Sequence, residues 1–292
     1  MKDSDWEIIY ELYRTPNMRK VANILYMTQP SLTKRLQGIE NEFGITVVKR
    51  TKKGVIFTEE GKLLAKKAEE YIHFMNRTKN EMLRFQQRED GHIRIGAAYT
   101  YSKEFLNDIL LSYSLEQSNI KINVINEPSN ILFRKTLEGF YDVGFIQGDY
   151  EGDVEKVPLY TSYAYILTNK KIELSQITSM KRIEYQSNDK TKELFEDWWR
   201  NNFGKEVQGA LFVTHIDFAW DLVEQGVGYT VCFIPESYKD KLKLNFIPIY
   251  DSKGNHILRT TWMVYRKTYL SDTMIDFCEY VKQYHLHNGG EN

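Results

Sequence analysis

Apolar residues near the N-terminus recur at helical spacing in two short segments separated by a tight break at 26–27. In 18–25 they can share one helix face, and in 28–43 they recur at positions 32, 36, 39 and 43. Thr28 stands where a helix N-cap is expected, and Pro30 falls in the first turn, where its missing N–H costs nothing. Two short helices joined by a tight turn predict a helix-turn-helix.

The polar face at the start of the second helix carries hydrogen-bonding side chains and cations. In a helix-turn-helix, the first residues of the second helix face base edges in the DNA major groove. We therefore predict a DNA-binding surface made of Thr28, Gln29, Pro30, Ser31, Thr33, Lys34 and Arg35. An ordinary helical hairpin in a globular domain has the same spacing, so the helix pair alone leaves both interpretations open.

A β-rich hairpin follows these helices. The runs Thr46–Val48 and Val55–Phe57 flank a cationic tip that contains a glycine. Beside a helix-turn-helix such a hairpin forms a wing, whose cations can meet phosphate or the minor groove. We expect this role for Arg50, Lys52 and Lys53. With a further predicted helix at 5–14, the winged DNA-binding domain is assigned to residues 1–58.

Charge is distributed unevenly along the chain. Residues 17–67 hold eleven cations and four acids, a net charge of +7, whereas the whole chain has a net charge of −1. A basic module on an acidic body favours phosphate binding by that module, and hence double-stranded DNA as its partner. A solvated charged surface has the same composition, so charge supports the interpretation without deciding it.

A long helix is predicted from Thr58 onwards, with the threonine as N-cap and two acids at the positive end of the helix dipole. Apolar positions from Leu64 to Phe85 step by three and four, a heptad-like seam with one polar break. We predict a homodimer through residues 59–86, because two-fold protein symmetry matches palindromic DNA sites. With a polar, glycine-ended hinge after the helix, the linker segment covers 59–91.

The pattern changes to alternating strands and helices from His92, which predicts a parallel sheet with helices on its faces. The chain forms two such sets, and a last strand and helix return to the first. We therefore expect an α/β domain at 92–292, with lobe I at 92–161 and 258–292 and lobe II at 162–257. Ligands of such sheets bind beyond the carboxyl ends of the strands, here in the cleft between lobes.

Composition narrows the class of protein. The chain has 292 residues, of which 42% are hydrophobic and 27% charged, as in globular proteins with two domains. Its first residues lack the features of a signal peptide, and no apolar run is long enough to span a bilayer. Cys232 and Cys278 give no disulfide framework. We expect a cytoplasmic protein without membrane association.

Together these motifs resemble the LysR-type transcriptional regulators, from Trp6 to about Tyr284. The specific parts are Gln-Pro-Ser-Leu-Thr at 29–33 and the Arg-Thr … Thr-Glu-Glu-Gly pattern at 50–61; the run 223–228 matches the family's effector-domain signature more weakly. The resemblance implies a winged helix-turn-helix, a linker-helix dimer and a periplasmic-binding-protein-like effector domain. It also implies a homotetramer on an interrupted palindromic operator, with RNA polymerase as a further partner.

The resemblance further implies a small-molecule effector in the cleft, with a carboxylate as one candidate because a helix N-terminus there favours an anion. Candidate effector contacts are Thr100, Tyr101, Ser102, Ser129, Gln147, Thr214 and His215. Helix capping by the hydroxyl residues and core packing by the tyrosine are equally compatible with the sequence. Three arginines are anion candidates on composition only, with an ion-paired or solvated role the commoner one: Arg134, Arg182 and Arg259.

Enzyme functions find no support in the residues. The glycines at 226 and 228 lack the third glycine of a dinucleotide-binding loop, and His285 and His287 have no partners at metal-ligand spacing. We therefore predict no catalytic residues, no metal and no cofactor. Two alternatives within the family stay open: an effector domain that serves only oligomerisation, and thiol redox sensing through Cys232 and Cys278. A third alternative lies outside the family: a ligand-binding protein with an appended helical module.

Overall fold

The structure is a computed structural model that describes residues 1–51, 54–87, 91–117, 119–204, 211–267 and 270–288. The chain forms two compact units, Met1–Gln87 and Arg88–Asn292. The division falls inside the hinge predicted at 86–91, of which residues 88–90 lie outside the described ranges. Within the described ranges, no helix combines the length and apolar character that crossing a membrane requires.

The N-terminal unit contains, in chain order, α1 (Asp3–Arg14), α2 (Met18–Ile24), α3 (Gln29–Phe43), β1 (Val48–Thr51), β2 (Gly54–Phe57) and α4 (Glu59–Gln87). The Asn17 side chain accepts backbone N–H groups and caps α2, and Thr28 caps α3 by accepting from Ser31. Tyr26 takes a left-handed conformation (φ +51°) in the turn between α2 and α3. Gly44, also left-handed, ends α3. These local signals set the predicted helix boundaries.

One apolar core holds this unit together. Leu32, Leu36 and Ile39 of α3 are buried in the same cluster as Ile8 and Leu12 of α1, as the helical spacing predicts. Deletion of one such buried aliphatic side chain typically costs 2–5 kcal/mol. The core therefore fixes which face of α3 points inward and which remains available to a partner.

The apolar seam predicted along α4 divides into two parts. Leu64 and Ala68 are buried in the core of their own unit, so they are not available to a second copy. Other apolar side chains of α4 are exposed: Leu63, Phe74 and Met82. The predicted seam ends at Phe85, whose side chain lies outside the described part of the structure. A dimer face on α4 would thus use different positions from the predicted ones at its N-terminal end.

The second unit begins with β3 (His92–Ala97), α5 (Tyr99–Tyr101), a π-helical turn (Ser102–Leu106), α6 (Asn107–Glu116), β4 (Lys121–Asn126), α7 (Ser129–Leu137), β5 (Val143–Gln147) and β6 (Glu155–Thr168). It continues with β7 (Ile183–Tyr185), α8 (Asp189–Phe203), β8 (Leu211–Val213), α9 (Ile216–Glu224), β9 (Thr230–Pro235), β10 (Asn245–Pro248), β11 (Leu258–Tyr265) and α10 (Asp272–Asn288). Short 3-10 helices lie at Leu174–Ser179 and Glu236–Lys241.

The strand order shows how the two lobes are joined. One sheet runs β10-β6-β11-β5-β3-β4, with β9 also paired to β6, and β7 and β8 form a separate parallel pair. Strands β3, β4 and β5 are mutually parallel, whereas β6 and β11 pair antiparallel. The N-terminal part of β6 pairs with β11, and its C-terminal part pairs with β9 and β10. A single strand therefore belongs to both lobes.

The α/β alternation is confirmed, and the structure differs from the expectation in detail. Strand β6 (Glu155–Thr168) crosses the boundary predicted between lobe I and lobe II at 161–162. The first half of β6 is mostly half-buried and lacks clean periodicity. Pairing with β11 makes this segment a strand.

Two glycines in the N-terminal unit should respond to alanine in opposite directions. A Cβ at Gly61 would lie 2.1 Å from the Val47 carbonyl oxygen, so Gly61→Ala must displace α4 from the wing and should lower stability by about 1–3 kcal/mol. Gly38, in α3, has no atom within 4 Å of that position, so Gly38→Ala should stabilise by up to about 1 kcal/mol. Urea unfolding of the full chain measures both. Shifts of the same sign would contradict this account.

Candidate functional site

The exposed start of α3 is the first candidate site. Thr28, Gln29, Pro30, Ser31 and Lys34 are exposed on this helix, and Thr33 is half-buried. Because the opposite face carries the buried core, these side chains are presented away from the unit. The surface combines hydrogen-bonding groups with the Lys34 ammonium, a combination that suits base edges and phosphate.

The wing contacts this surface through one hydrogen bond. Arg50 in β1 donates from Nη2 to Thr33 Oγ1 at 3.2 Å and remains exposed. A guanidinium from the wing therefore stands beside the first turns of α3, and the two elements form one continuous polar surface. The predicted contacts Lys52 and Lys53 lie outside the described residues.

Arg35 differs from the other residues predicted for this surface, because its side chain points towards α1. Its Nε donates to Asp5 Oδ1 at 2.9 Å and its Nη2 to Ser4 Oγ at 2.6 Å, so the guanidinium is bound to the start of α1. The Arg35 side chain is only 27% exposed. The physical reason is helical geometry: Arg35 follows Lys34 by one residue, about 100° around the helix, which turns it towards α1.

The second candidate site is a cavity of about 180 Å³ between the two lobes of the C-terminal unit. It lies beyond the carboxyl ends of β3, β4, β5, β7 and β8, as expected for parallel strands. Five of the predicted effector contacts line it: Thr100, Ser129, Gln147, Thr214 and His215. Further lining residues include Tyr99, Asn126, Glu127, Tyr185, Gln186, Ser187 and Arg259.

Hydrogen bonds fix the polar groups on the lobe I side of the cavity. Gln147 Nε2 donates to Thr100 Oγ1 at 2.6 Å, and the Gln147 backbone N–H donates to Ser129 Oγ at 3.0 Å. Residues from three different elements, α5, α7 and β5, are thereby held in one arrangement. Their remaining donor and acceptor capacity is available to a polar ligand in this small cavity.

Tyr101 and Ser102 do not line the cavity, contrary to the prediction. Tyr101 is fully buried, stacks on Phe145 with ring centroids 4.4 Å apart, and its hydroxyl lies 3.1 Å from His285 Nε2. The Ser102 hydroxyl accepts from Asn126 Nδ2 at 2.6 Å. Because residues 99–101 are helical, successive side chains rotate by about 100°, so the neighbour of Thr100 turns into the core.

Contacts between the lobes close one side of the cavity. Tyr99 of lobe I stacks on His215 of lobe II with ring centroids 4.5 Å apart, and its hydroxyl donates to Asp217 at 2.9 Å. Lys103 of lobe I forms an ion pair with the same carboxylate at 2.6 Å. Tyr99 directly precedes the predicted contact Thr100, but only the structure shows its contact across the cleft.

Glu104 is a buried carboxyl group close to the cavity, and no sequence pattern singles it out. It is 4% exposed and accepts a hydrogen bond from the Tyr160 hydroxyl at 3.2 Å, while its Oε1 has no partner among the described residues. Burial in low dielectric raises the pKa of Glu104 to about 8. The carboxyl group is therefore mostly protonated at neutral pH.

The cysteines offer little support for redox sensing. Cys232 and Cys278 are both buried, in different hydrophobic clusters of the C-terminal unit. Burial raises the pKa of each thiol to about 12, which disfavours the reactive thiolate.

Two family models match the chain. The model of the LysR substrate binding domain matches residues 86–285, and that of the bacterial regulatory helix-turn-helix protein, lysR family, matches residues 4–62. Fold and matches together define a DNA-binding transcriptional regulator with an effector-binding domain. The chain belongs to the LysR family.

Relatives and solved structures agree with this assignment. The chain is 26% identical over 284 residues to the uncharacterized HTH-type transcriptional regulator YraN of Bacillus subtilis (strain 168), covering 97% of this chain and 98% of that protein. The structure of VV2_1132, a LysR family transcriptional regulator, matches with a TM-score of 0.56 at 15% identity and covers 96% of this chain and 98% of its own. Full-length BenM matches with a TM-score of 0.52 at 18% identity, covering 99% and 98%. At these identities the structural likeness shows the fold alone.

Replacing Glu104 by Gln should change the pH dependence of stability. The folded carboxyl group keeps its proton up to about pH 8, whereas its ordinary pKa is 4.5, so its contribution to wild-type stability falls as pH rises through this window. Glu104→Gln removes this term. Its melting temperature relative to wild type should therefore rise between about pH 4.5 and 8 and level off above.

Thermal unfolding across this pH range measures the effect, with Glu116→Gln, at an exposed position of α6, as the control for loss of one carboxyl group. A Glu104→Gln difference that stays constant with pH would contradict the raised pKa.

Proposed function

We propose that this regulator binds an interrupted palindromic operator with α3 of each copy in successive major grooves, about one helical turn apart. Gln29, Pro30, Ser31, Thr33 and Lys34 would face base edges and nearby phosphates, with Thr28 at the cap. The wing would add contacts from Arg50, Lys52 and Lys53. The observation that carries this proposal is the exposed polar start of α3 opposite a fully buried core face.

Two copies would associate through α4, within 59–86. The exposed apolar side chains Leu63, Phe74 and Met82 support this part of the proposal. Pairing of two long helices needs an apolar face that is not already buried in the core of each unit. Two such dimers would form the homotetramer that the family resemblance implies. Its DNA partner places the protein in the bacterial cytoplasm, where altered operator geometry would change access of RNA polymerase.

A small molecule in the cavity would regulate this binding, with contacts from Thr100, Ser129, Gln147, Thr214 and His215. The cavity lies between lobes that are tied by Tyr99, Lys103 and Asp217, so a ligand that contacts both lobes shifts the population towards one lobe arrangement. The role is binding and regulation, with no catalytic step. A domain that serves only oligomerisation is the competing hypothesis within the family.

Lys34→Ala should weaken operator binding and reduce the slope of log affinity against log salt by about one, as expected for loss of one phosphate contact. Arg35→Ala should act differently, because its guanidinium is bound to Asp5: it should lower unfolding stability by about 1 kcal/mol and change the salt slope much less. The operator comes from selection of genomic fragments bound by purified protein at physiological salt. Fluorescence anisotropy over a salt series then compares the variants.

An unchanged affinity and slope for Lys34→Ala would show that α3 is not the recognition helix. Equal loss of slope in the two variants would return Arg35 to the DNA-binding surface.

Thr214→Trp should block regulation by filling the mouth of the cavity from an exposed position. Thr178→Trp, at an exposed position of the 3-10 helix in lobe II, is the matched control. Operator affinity is measured with and without each compound of a metabolite library, and the ratio is compared between variants. We expect a response in wild type and in Thr178→Trp that is lost in Thr214→Trp. A response retained in Thr214→Trp would place the effector elsewhere, and no response in wild type would favour the oligomerisation-only hypothesis.

A further inference from the structure

Arg259 is the permanently charged cation among the described residues that line the cavity. It lies on β11, opposite Ser162 of β6, where the two lobes share strands. Its Nη1 donates to Thr191 Oγ1 at 3.1 Å, and its guanidinium carbon stands 4.2 Å from the centroid of the Phe233 ring. These two contacts fix the plane of the guanidinium and leave its other edge unused.

That other edge consists of Nε and Nη2. Nε is buried without a hydrogen-bond partner, and neither nitrogen donates to a described residue. Within the described part of the chain, no carboxylate forms an ion pair with Arg259, whereas Arg94 pairs with Asp142 and Arg182 with Glu184. A buried donor left without a partner is destabilising, and more so when it is charged. Arg259 is thus a cation without an anion.

The titratable groups around Arg259 leave its charge uncompensated at neutral pH. Glu104 is mostly protonated, since its pKa is about 8. Three further titratable groups interact electrostatically with the guanidinium: Tyr160 of β6, Tyr185 of β7 and Cys232 of β9. Burial raises the pKa of each of them. All of these groups are neutral near pH 7.

Glu127, the acidic residue among the cavity-lining residues, already has partners for both carboxylate oxygens. Glu127 accepts from Lys135 Nζ at 2.6 Å through Oε1 and from the Tyr141 hydroxyl at 2.7 Å through Oε2. Its charge is therefore paired outside the cavity. Lys135 offsets the charge of Glu127, so Arg259 is the charged residue of the described cavity wall that no ion pair offsets.

We propose that the guanidinium group of Arg259 binds the carboxylate of the effector, so that the effector is a small organic monoanion. This inference rests on the proposed function, in which the cavity is the effector site. A planar guanidinium edge matches the two oxygens of a carboxylate, and one cation balances one charge. The cavity volume of about 180 Å³ is below the 300–1,000 Å³ usual for drug-sized ligands, which limits the rest of the molecule.

The remaining groups of the cavity complete this assignment. The Thr100, Ser129 and Gln147 side chains stand on the lobe I side, where they can bind a hydroxyl or carbonyl group of the same ligand. Because β11 pairs with strands of both lobes, a carboxylate on Arg259 would sit where the lobes meet. Arg259 would then be the anchor that binds the carboxylate, and the lobe I groups would select among ligands by binding the rest of the molecule.

The test is thermal unfolding of the full chain with a series of probes at matched ionic strength. The probes are acetate, propionate, butyrate, hexanoate, lactate and phenylacetate, each with its carboxamide, plus inorganic phosphate and sulfate. We expect at least one carboxylate to raise the melting temperature of wild type by several degrees while its carboxamide does not. Arg259→Met should abolish that rise, and Arg259→Lys should reduce it, since an ammonium keeps the charge without the planar edge. Arg200→Met, which removes an exposed arginine of α8, should respond as wild type.

The outcomes distinguish failure of the Arg259 proposal from failure of the proposed effector function. Equal carboxylate shifts in wild type and Arg259→Met overturn the anchor while the cavity can still be the effector site. Shifts with carboxamides alone, or with phosphate alone, overturn the carboxylate class, as does the absence of any carboxylate shift in wild type. A large fall in the melting temperature of unliganded Arg259→Met, with its carboxylate shift retained, would make Arg259 a structural cation. Failure of the proposed function itself appears separately, as operator binding that no library compound changes.

Discussion

The C-terminal unit depends on the antiparallel pairing of β6 with β11. Strand β6 pairs with β11 along its first part and with β9 and β10 along its second, so it is continuous through both lobes. Backbone hydrogen bonds along such a pair resist stretching but permit twist. Arg259 stands on this pair, opposite Ser162 of β6, so it lies where strands of the two lobes meet.

The role proposed for Arg259 at this location depends on electrostatics. A buried cation among neutral partners raises the free energy of the unliganded protein, and an anion that satisfies the cation lowers it. Contacts across the cleft, including the Lys103–Asp217 ion pair, bias the lobe arrangement from the other side of the cavity. In the proposed function, ligand charge and lobe geometry would be coupled through these groups, which lie around one small cavity. The N-terminal unit uses charge differently, since Arg35 is paired with Asp5 inside the unit and Lys34 is left exposed.

Much of the fold follows from local signals in the sequence. Caps at Asn17 and Thr28 and the glycine at 44 mark the helix boundaries, and the apolar spacing of α3 identifies its buried face. Alternation of strands and helices predicts the two-lobed α/β domain. The site was predicted in part, because loops after parallel strands meet at one edge of the sheet. Tyr101 was predicted to contact the effector and lies in the core of this structure, since a shift of one residue on a short helix decides between cavity and core, and sequence position alone does not reveal it.

The sequence by itself determined the helix-turn-helix, the wing, the order of the two units and the family, because these depend on local propensity and on spacing along the chain. Only the tertiary structure decided which cations are available. Arg35 meets an acid thirty residues away, Leu64 and Ala68 belong to the core of their own unit, and Arg259 meets no carboxylate among the described residues. Charge pairing is a contact between residues distant in sequence, and the burial that shifts the pKa of Glu104 is a property of the whole packed domain. Neither quantity is encoded in any single stretch of the chain.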